Sequence, residues 1–387
     1  MKKIFIFALA AATMAVGCQK LQGILTPSVG AEDDGAPVPV VFGTNVATVS
    51  TKAAVENADD LKPFHVYGIS DELTTFTTTQ DFLVDKEFAG TEATADGYPT
   101  GSYYGVAGET YSFYGYYIDK LTTTPTFEGN TINIPVTITG QEDLMIGLTN
   151  KDNDLGSIST LDADDLYSAK SARRGVTPKL VFDHKLVRFD FVIINGSELT
   201  DNVEVSQIDL LNTTTNGKLI ITHGDEPSGE LVKGADRGDK ADLSLTGVNG
   251  AALVTLTNAT AVNASQNAGT IMPMPEEEGY MVKLHLTQNN QTAYQELPLV
   301  MSGENSFVPG TRYTVKVKVY GMEAVIVAVE VTPWNDGGSF EYDPDSDQGV
   351  VFNPDDENPN GGNDDQNPDD ENGEAGGDAG GENGMED

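Results

Sequence analysis

The sequence predicts an all-β protein in which two tandem β-sandwich domains, residues 37–174 and 175–340, precede a disordered acidic tail at 341–387. Three observations support this prediction. Short runs rich in β-branched and aromatic residues recur between Gly, Pro, Asn and Asp, which is typical of sandwich strands. A polar stretch at 151–175 divides these runs into two sets. The last 47 residues carry 17 acidic side chains and no base.

Residues 1–17 predict a lipoprotein signal peptide. Two lysines follow Met1, and the 13-residue apolar run at 4–16 suits a signal peptide, whereas a membrane-spanning helix needs about 20 residues. The run ends in Ala15-Val16-Gly17-Cys18, which resembles the lipobox of bacterial lipoproteins with Ala15 in place of the commoner Leu. We therefore expect Cys18, the single cysteine, to carry acyl chains that hold the precursor in a membrane. The alternative is an ordinary signal peptide with an incidental cysteine.

Residues 18–36 predict a linker, because Pro27, Gly30 and Gly35 interrupt a polar segment. The first domain follows, and its predicted strands lie at 38–42, 46–49, 64–69, 82–88, 103–106, 111–118, 131–139 and 144–148.

The second domain is predicted to begin with one long strand at 180–191. Further strands are predicted at 206–211, 219–222, 243–245, 252–256, 281–286, 294–300, 312–320 and 324–331. In 312–320 apolar residues alternate with polar ones, which indicates one buried face and one solvated face. Residues 324–331 are apolar at nearly every position, and this predicts a central strand covered on both sides.

The acidic tail cannot bury enough apolar surface to offset the entropy of ordering, so we expect it to be disordered and dispensable for folding. It accounts for 17 of the 38 net negative charges and leaves −21 for the residues before 341. We expect its like charges to act as an electrostatic bristle that opposes self-association of the chain. Its Asp343-Pro344-Asp345-Ser346-Asp347 spacing lacks the glycine and glutamate that a calcium loop requires, so no defined calcium site is expected.

The overall charge and the rare residue types exclude several functions. A net charge of −38, from 22 basic and 60 acidic side chains, excludes nucleic acid as a partner. One cysteine and four scattered histidines provide neither a disulfide framework nor a zinc site, so no metal or other cofactor is expected. No phosphate-binding loop, nucleophile elbow or metalloprotease motif occurs. The sequence therefore does not indicate an enzyme.

Histidines and clustered aromatics are the remaining candidates for binding. His184 lies on the apolar parity of its predicted strand, so a hydrogen-bonded core histidine is expected there, whereas His223 is expected in a solvated loop. Seven aromatics crowd into 15 residues: Tyr103, Tyr104, Tyr111, Phe113, Tyr114, Tyr116 and Tyr117. They form either a sugar-stacking face or a sandwich core. The core interpretation places Tyr111, Phe113 and Tyr117 inside and leaves Tyr114 and Tyr116 on the outer face.

A series of short patterns, in this order, resembles the fimbrillin-family lipoproteins of the Bacteroidales. The patterns follow the lipobox at 39–42 (Pro-Val-Val-Phe), 51–54 (Thr-Lys-Ala-Ala), 64–68, 103–104, 111–117, 141–145, 180–186, 271–273, 307–310, 313–315 and 329–336 (ending Pro-Trp-Asn-Asp). Together they span most of the chain from Cys18 to Asp336.

The resemblance implies a pilus subunit with two transthyretin-like sandwiches, exported as an outer-membrane lipoprotein and cut by a trypsin-like protease. The cut would fall between Lys52 and Ala53, with Lys where the family often has Arg. It would remove the first strand, and a strand from another subunit would fill the groove. In related stalk subunits the C-terminal segment donates this strand, but the tail is too charged and Pro-rich for that role, apart from 349–352, which is too short.

Two classes of function stay open at this stage. The first is a structural subunit of a cell-surface fimbria, in the stalk, the tip or an accessory position, whose partners are other subunits and a surface protein or glycan. The second is a non-polymerising surface lipoprotein that binds glycan through an aromatic-rich sandwich and keeps its lipid.

Overall fold

The computed structural model describes residues 37–46, 63–88, 98–105, 108–119, 123–151, 165–224, 228–301 and 306–333. These residues form twenty β-strands with only short helical turns between them, which confirms the all-β class. The described turns are a four-residue helix, α1 (Ala169–Ala172), and 3₁₀ turns at Thr79–Asp81, Arg237–Asp239 and Val248–Gly250. Within these same ranges no helix is long and apolar enough to cross a membrane.

The chain divides into two compact units. The first unit comprises the chain up to Thr137, Glu142–Lys185 and Asn216–Gly234. Its strands are β1 (Pro39–Val46), β2 (Phe64–Ser70), β3 (Val84–Phe88), β4 (Tyr98–Tyr103), β5 (Tyr111–Ile118), β6 (Thr126–Glu128), β7 (Thr131–Thr137), β8 (Leu144–Thr149), β9 (Lys179–His184), β12 (Asn216–Thr222) and β13 (Ser228–Lys233). The larger sheet has seven of these strands in the order β3-β2-β5-β8-β9-β1-β4, and the smaller sheet has the order β13-β12-β7-β6.

The second unit comprises Ile138–Gln141, Leu186–Thr215 and the chain from Ala235 onward. Its strands are β10 (Arg188–Asn195), β11 (Val203–Thr214), β14 (Lys240–Thr246), β15 (Val254–Leu256), β16 (Ser265–Ile271), β17 (Tyr280–Gln288), β18 (Gln291–Leu299), β19 (Thr311–Tyr320) and β20 (Glu323–Pro333). One sheet has the order β16-β10-β19-β20, and the other has the order β14-β11-β17-β18, in which β15 also pairs with β11.

Strand alternation builds the cores as the sequence indicates. In β19 the side chains of Tyr313, Val315, Val317 and Val319 are buried, while the residues between them are partly exposed. This confirms the predicted buried and solvated faces of that strand.

The two units differ from the predicted ranges 37–174 and 175–340 at three places, one of which is the short segment Ile138–Gln141, which belongs to the second unit. The single strand expected at 180–191 is two strands, because β9 pairs with β8 in the first unit and β10 pairs with β19 in the second. The hairpin of β12 and β13 also joins the first unit, where β12 pairs with β7. Neither assignment is visible in the local pattern, since both depend on pairing with distant strands.

The expectation of a central strand at 324–331 is wrong. Among the described residues β20 pairs only with β19 and forms the edge of its sheet. Ala324, Val329 and Val331 are buried on one face, whereas on the other face Ala328 is buried and Val325 is 46% exposed. The apolar sequence of β20 therefore reflects full cover on one face and partial cover on the other.

Candidate functional site: the slot of strand β1

Strand β1 lies inside the seven-stranded sheet, between β4 and β9. Its first half pairs antiparallel with β4, from Pro39 opposite Tyr103 to Phe42 opposite Tyr98. Its second half, Gly43 to Val46, pairs parallel with β9. Because β4 pairs with no other described strand of this sheet, β1 is the one described strand that pairs β4 with the rest of it. We call the position between β4 and β9 the β1 slot.

Among the side chains of β1 that the structure describes, residues 39–43, two point into the core of the first unit. Val40 is 1% exposed and Phe42 is fully buried, while Pro39 and Val41 lie on the other side of the strand and are more exposed. Val38 packs against the same core and is partly buried. Burying one Val or Phe side chain contributes about 1.5–3 kcal/mol, so β1 is an integral part of this core.

An aromatic cage surrounds Phe42. Its ring meets Phe88 edge-on at a centroid distance of 5.0 Å and Phe64 at 6.3 Å. Phe64 in turn stacks on Phe88 at 5.5 Å and meets Phe182 of β9 edge-on at 5.7 Å. The Phe182 ring lies over glycines of β5 and β8, where a Cβ at Gly147 would come within 2.8 Å of it. The aromatic cage therefore depends on its rings and also on these two glycines, whose lack of a side chain lets the Phe182 ring lie close to the backbone.

Hydrogen bonds fix the backbone of β1, and of Val38 just before it, at three points. The amide of Tyr104 donates to the Val38 carbonyl over 2.9 Å, and the Thr100 hydroxyl donates to the Val40 carbonyl over 2.9 Å. The Gly43 amide donates to the carbonyl of Pro178 over 2.9 Å. Burial raises the pKa of Tyr104 above its usual range, with a smaller contribution from Tyr111, so that phenol stays neutral. The slot is therefore apolar, with its polar contacts directed to the backbone of β1.

The predicted modification and processing residues lie outside the described residues. Cys18 precedes residue 37, and Lys52 and Ala53 fall between β1 and β2. Their positions in the sequence relative to β1 are nevertheless defined: Cys18 lies before this strand, and Lys52 lies six residues after its last residue, Val46.

The aromatic cluster belongs mostly to the core. Tyr111, Phe113 and Tyr117 are at most 4% exposed, which confirms the predicted inner parity. The expectation for Tyr114 is wrong, because it is 1% exposed and its hydroxyl is 2.8 Å from Nδ1 of His223.

The later hairpin of β12 and β13 ends beside Tyr114 and covers that face. Tyr104 is buried as well, Tyr116 is half-buried, and Tyr103 alone of the seven is mostly exposed, at 56%. The cluster therefore does not form an open platform for sugar rings.

His223 is also not in a solvated loop. It is 2% exposed, its Nε2 donates to the carbonyl of Ser70 over 3.1 Å, and its amide donates to the carbonyl of Asn130 over 2.8 Å. Burial lowers the pKa of His223, and the nearby carboxylate of Asp71 only partly opposes this effect. No local pattern indicates this burial, because the residues that cover His223 lie about 90 to 150 positions earlier in the chain.

Each of the other three histidines contacts a carboxylate. Nδ1 of His184 lies 3.0 Å from Asp143, and both side chains are buried, which confirms the predicted hydrogen-bonded core histidine. The other two pairs are those of His65 with Asp85 and His285 with Asp209, each at 2.7 Å. The described residues contain no group of three or more side chains that could hold a metal ion.

Comparisons with known proteins give one match by sequence and several by structure. Residues 51–334 match the sequence model of the fimbrillin-like family, and this range begins beside Lys52 and leaves β1 outside it. A search of curated protein sequences found no match.

Among solved structures, a candidate cell adhesion protein from Bacteroides uniformis is 16% identical, with a TM-score of 0.44, over 76% of this chain and 99% of that one. The fimbrial anchor protein Mfa2 from Porphyromonas gingivalis is 10% identical, with a TM-score of 0.34, over 78% of this chain and 100% of that one.

Proposed function

The chain belongs to the fimbrillin-like family, and from this premise we propose that it is a structural subunit of a cell-surface fimbria, exported as a lipoprotein, cut after Lys52 and assembled by β-strand exchange. The family match supports a fimbrial or adhesin-like subunit. The position of β1 supports the cut and the strand exchange, because β1 is both an interior strand and the strand that such a cut would separate from the chain.

The cut would change the first unit in a defined way. It leaves the 335 residues from Ala53 to Asp387. Loss of β1 would leave the facing edges of β4 and β9 without a partner and would empty the positions of Val40 and Phe42 in the core. Unpaired strand edges and exposed apolar pockets favour the addition of another strand, since its backbone restores the hydrogen bonds and its alternate side chains fill the pockets.

Limited trypsin digestion of the lipid-free chain tests this proposal. We expect a stable product that begins at Ala53, loses β1 and forms a ladder on a native gel. The matched control is Lys52→Gln, which keeps the length of the connection and should stay uncut there and discrete in size. A stable product that begins upstream of residue 38 would contradict assembly by strand exchange, because no strand would have been removed.

The lipid step has a separate test. The motif Ala15-Val16-Gly17-Cys18 motivates it. We expect Cys18→Ser to abolish fatty-acid labelling and membrane retention of the precursor, whereas an alanine at the neighbouring Gln19 should leave both intact. Unchanged labelling of the Cys18→Ser protein would refute the lipoprotein step without affecting the proposal about β1.

A further inference from the structure

The β1 slot restricts which strand can fill it, because the slot buries side chains at specific positions. Of its described side chains, only Val40 and Phe42 are fully buried, and they stand two residues apart. Val41 between them lies on the other side of the strand. A segment of three residues that begins with Val and ends with Phe therefore satisfies the buried part of the slot.

The tail contains such a segment. Val350-Val351-Phe352 repeats Val40-Val41-Phe42, and this tripeptide occurs nowhere else in the chain. It is also the only run of three consecutive apolar residues between 341 and 387. Both copies lie outside the range 51–334 that matches the family model, so the family match does not account for the repeat.

The residues that flank the second copy fit the slot as well. Gly349 stands where β1 has Pro39, whose side chain is exposed. Asn353 stands where β1 has Gly43, and a Cβ added there would lie 3.6 Å from its nearest neighbour, an ordinary contact. Pro354 follows and cannot donate a hydrogen bond. The tail copy therefore matches the half of β1 that pairs with β4 and ends where pairing with β9 begins.

We propose that, once a cut after Lys52 has released β1, residues 350–352 of the chain's own tail occupy the β1 slot and cap the subunit. This inference rests on the proposed function, because the slot opens only when β1 leaves. The objection that the segment is too short for a donor strand does not apply to a cap, because a cap needs to replace only Val40 and Phe42.

Charge and tethering favour the chain's own tail over that of another copy. A second copy would bring its tail, with 17 acids, toward the residues 53–340 of the cut chain, whose net charge is −22, and like charges repel over a Debye length of about 8 Å at physiological salt. A tail within the same chain is held at an effective concentration of order millimolar when its spacer can reach. The spacer at 334–348 has 15 residues and extends up to about 50 Å.

Such a cap is weaker than the strand it replaces. It provides three residues, whereas β1 has eight and pairs with both neighbours. A donor strand that pairs with both β4 and β9 displaces it. The tail then delays assembly by competing for the slot, and this competition depends on Phe352 more than on the surrounding carboxylates.

A disulfide crosslink tests occupancy of the slot. Val41 pairs with Pro99 of β4, so a tail residue 351 in the same position would face residue 99. The double variant Val351→Cys with Pro99→Cys is made in a lipid-free chain that starts at Gln19 and has no other thiol. After the cut and mild oxidation, we expect an intrachain disulfide, seen as a faster-migrating monomer on a non-reducing denaturing gel. The uncut chain, in which β1 fills the slot, should not crosslink.

The matched control is Asn360→Cys with Pro99→Cys, which has a comparable tether but no repeat and should crosslink far less. A disulfide-linked dimer would overturn the proposal, because the tail of another copy would then fill the slot. Release of β1 without any crosslink would also overturn it and leave the proposed function standing. Retention of β1 after the cut would overturn both.

A second measurement follows assembly directly by light scattering of the cut protein. Phe352→Ala should lower slot occupancy by the tail roughly tenfold or more and so increase self-association at both low and high salt. The matched control, Tyr342→Ala, removes the only other aromatic residue of the tail and should behave like the unmodified chain. Equal association of the two variants, or a difference that vanishes at high salt, would overturn the cap.

Discussion

Strands β1 and β20, the first and last described strands, occupy positions opposite to those that their residues suggest. β20 is apolar at nearly every position, yet it lies at a sheet edge with Val325 exposed. β1 contains Pro39 and Gly43, yet it lies between two strands and places Phe42 in the core. The difference teaches that apolar character along a strand does not determine its place in a sheet. The strands that pair with it and the side chains that cover it determine that place.

The edge position of β20 is also protected. Its register against β19 shifts by one residue near its middle, where Lys316 pairs with Ala328 and Val317 with Ile326. This places a bulge at Val327, and bulges turn an edge away from further pairing. The pairing of β1 with β4 is also irregular, between Pro39 and Val41, and each half of β1 pairs with one of its two neighbours. Loss of β1 would therefore open the edges of β4 and β9 that it pairs, whereas the outer edge of β20 has no partner among the described strands.

The largest expected effect is that of Phe42→Ala in the uncut chain. Removing a fully buried ring from the aromatic cage should lower the free energy of unfolding by about 3–5 kcal/mol, measured by denaturant titration. The conservative control, Phe42→Leu, should lower the free energy of unfolding by less, because it leaves a smaller cavity. A loss below about 1 kcal/mol for Phe42→Ala would show that β1 contributes little to the core and would break the comparison with β20.

A smaller effect is expected for Val40→Ala, which should lower the free energy of unfolding by about 2 kcal/mol in the same titration. The matched variant in the other strand is Val329→Ala, since Val329 is also buried, at 6% exposure. If the two variants lose similar amounts of unfolding free energy, the burial of the side chain determines the loss, and the central or edge position of the strand does not. A much smaller loss in β20 would show that edge strands pack less firmly.

The two units should also respond differently to acid. Because the pKa of His223 is lowered in the folded protein, protonation favours the unfolded form, and its contribution to stability is lost as pH falls below about 6.5. The pKa of Asp209 in the second unit is lowered by bonds from Ser244, Gln207 and His285 that outweigh desolvation, so its contribution is lost only below about 3.8.

Amide exchange measured between pH 7 and 5 should therefore accelerate in β12 more than in β11. The control His223→Gln should flatten the response of β12. Parallel acceleration in both strands would contradict the assignment of the effect to His223.

The smallest effect is expected for Val325→Lys on the exposed side of β20. The free energy of unfolding should change by no more than about 0.5 kcal/mol, because the substitution removes little buried surface. Denaturant titration and size-exclusion chromatography of the same sample measure stability and association together. A loss as large as that of Val329→Ala would show that this face is covered and that β20 is not a true edge.

Much of the fold could be predicted from local patterns. The strands at β2, β5, β8 and β19 fall close to their predicted ranges, because each combines β-branched or aromatic residues with clear turn signals at its ends. Three short or polar strands, β6, β13 and β16, were not predicted. Their sequences, such as Ser-Gln-Asn-Ala-Gly-Thr-Ile in β16, contain residues that strands usually avoid, and pairing with neighbours holds them in place.

The candidate site could be predicted only in part. The resemblance to the fimbrillin family, together with the position of Lys52 after a strand-like run, predicts β1 as the segment that a cut would separate, and the cut stays a prediction. The pattern did not show that β1 joins β4 to β9, nor that Phe64 and Phe88 surround Phe42. Those contacts join residues that are 22 to about 140 positions apart, and local periodicity contains no information about them.

The sequence by itself determined the β class, the alternation of buried and exposed side chains, the charge of the tail and the repeat of Val-Val-Phe, because these are properties of neighbouring residues. Only the tertiary structure decided that β1 is interior and β20 an edge, that the hairpin of β12 and β13 belongs to the first unit, and that Tyr114 and His223 are buried. The physical reason is that a strand has two hydrogen-bonding edges and two faces, and distant segments of the chain compete to cover all four.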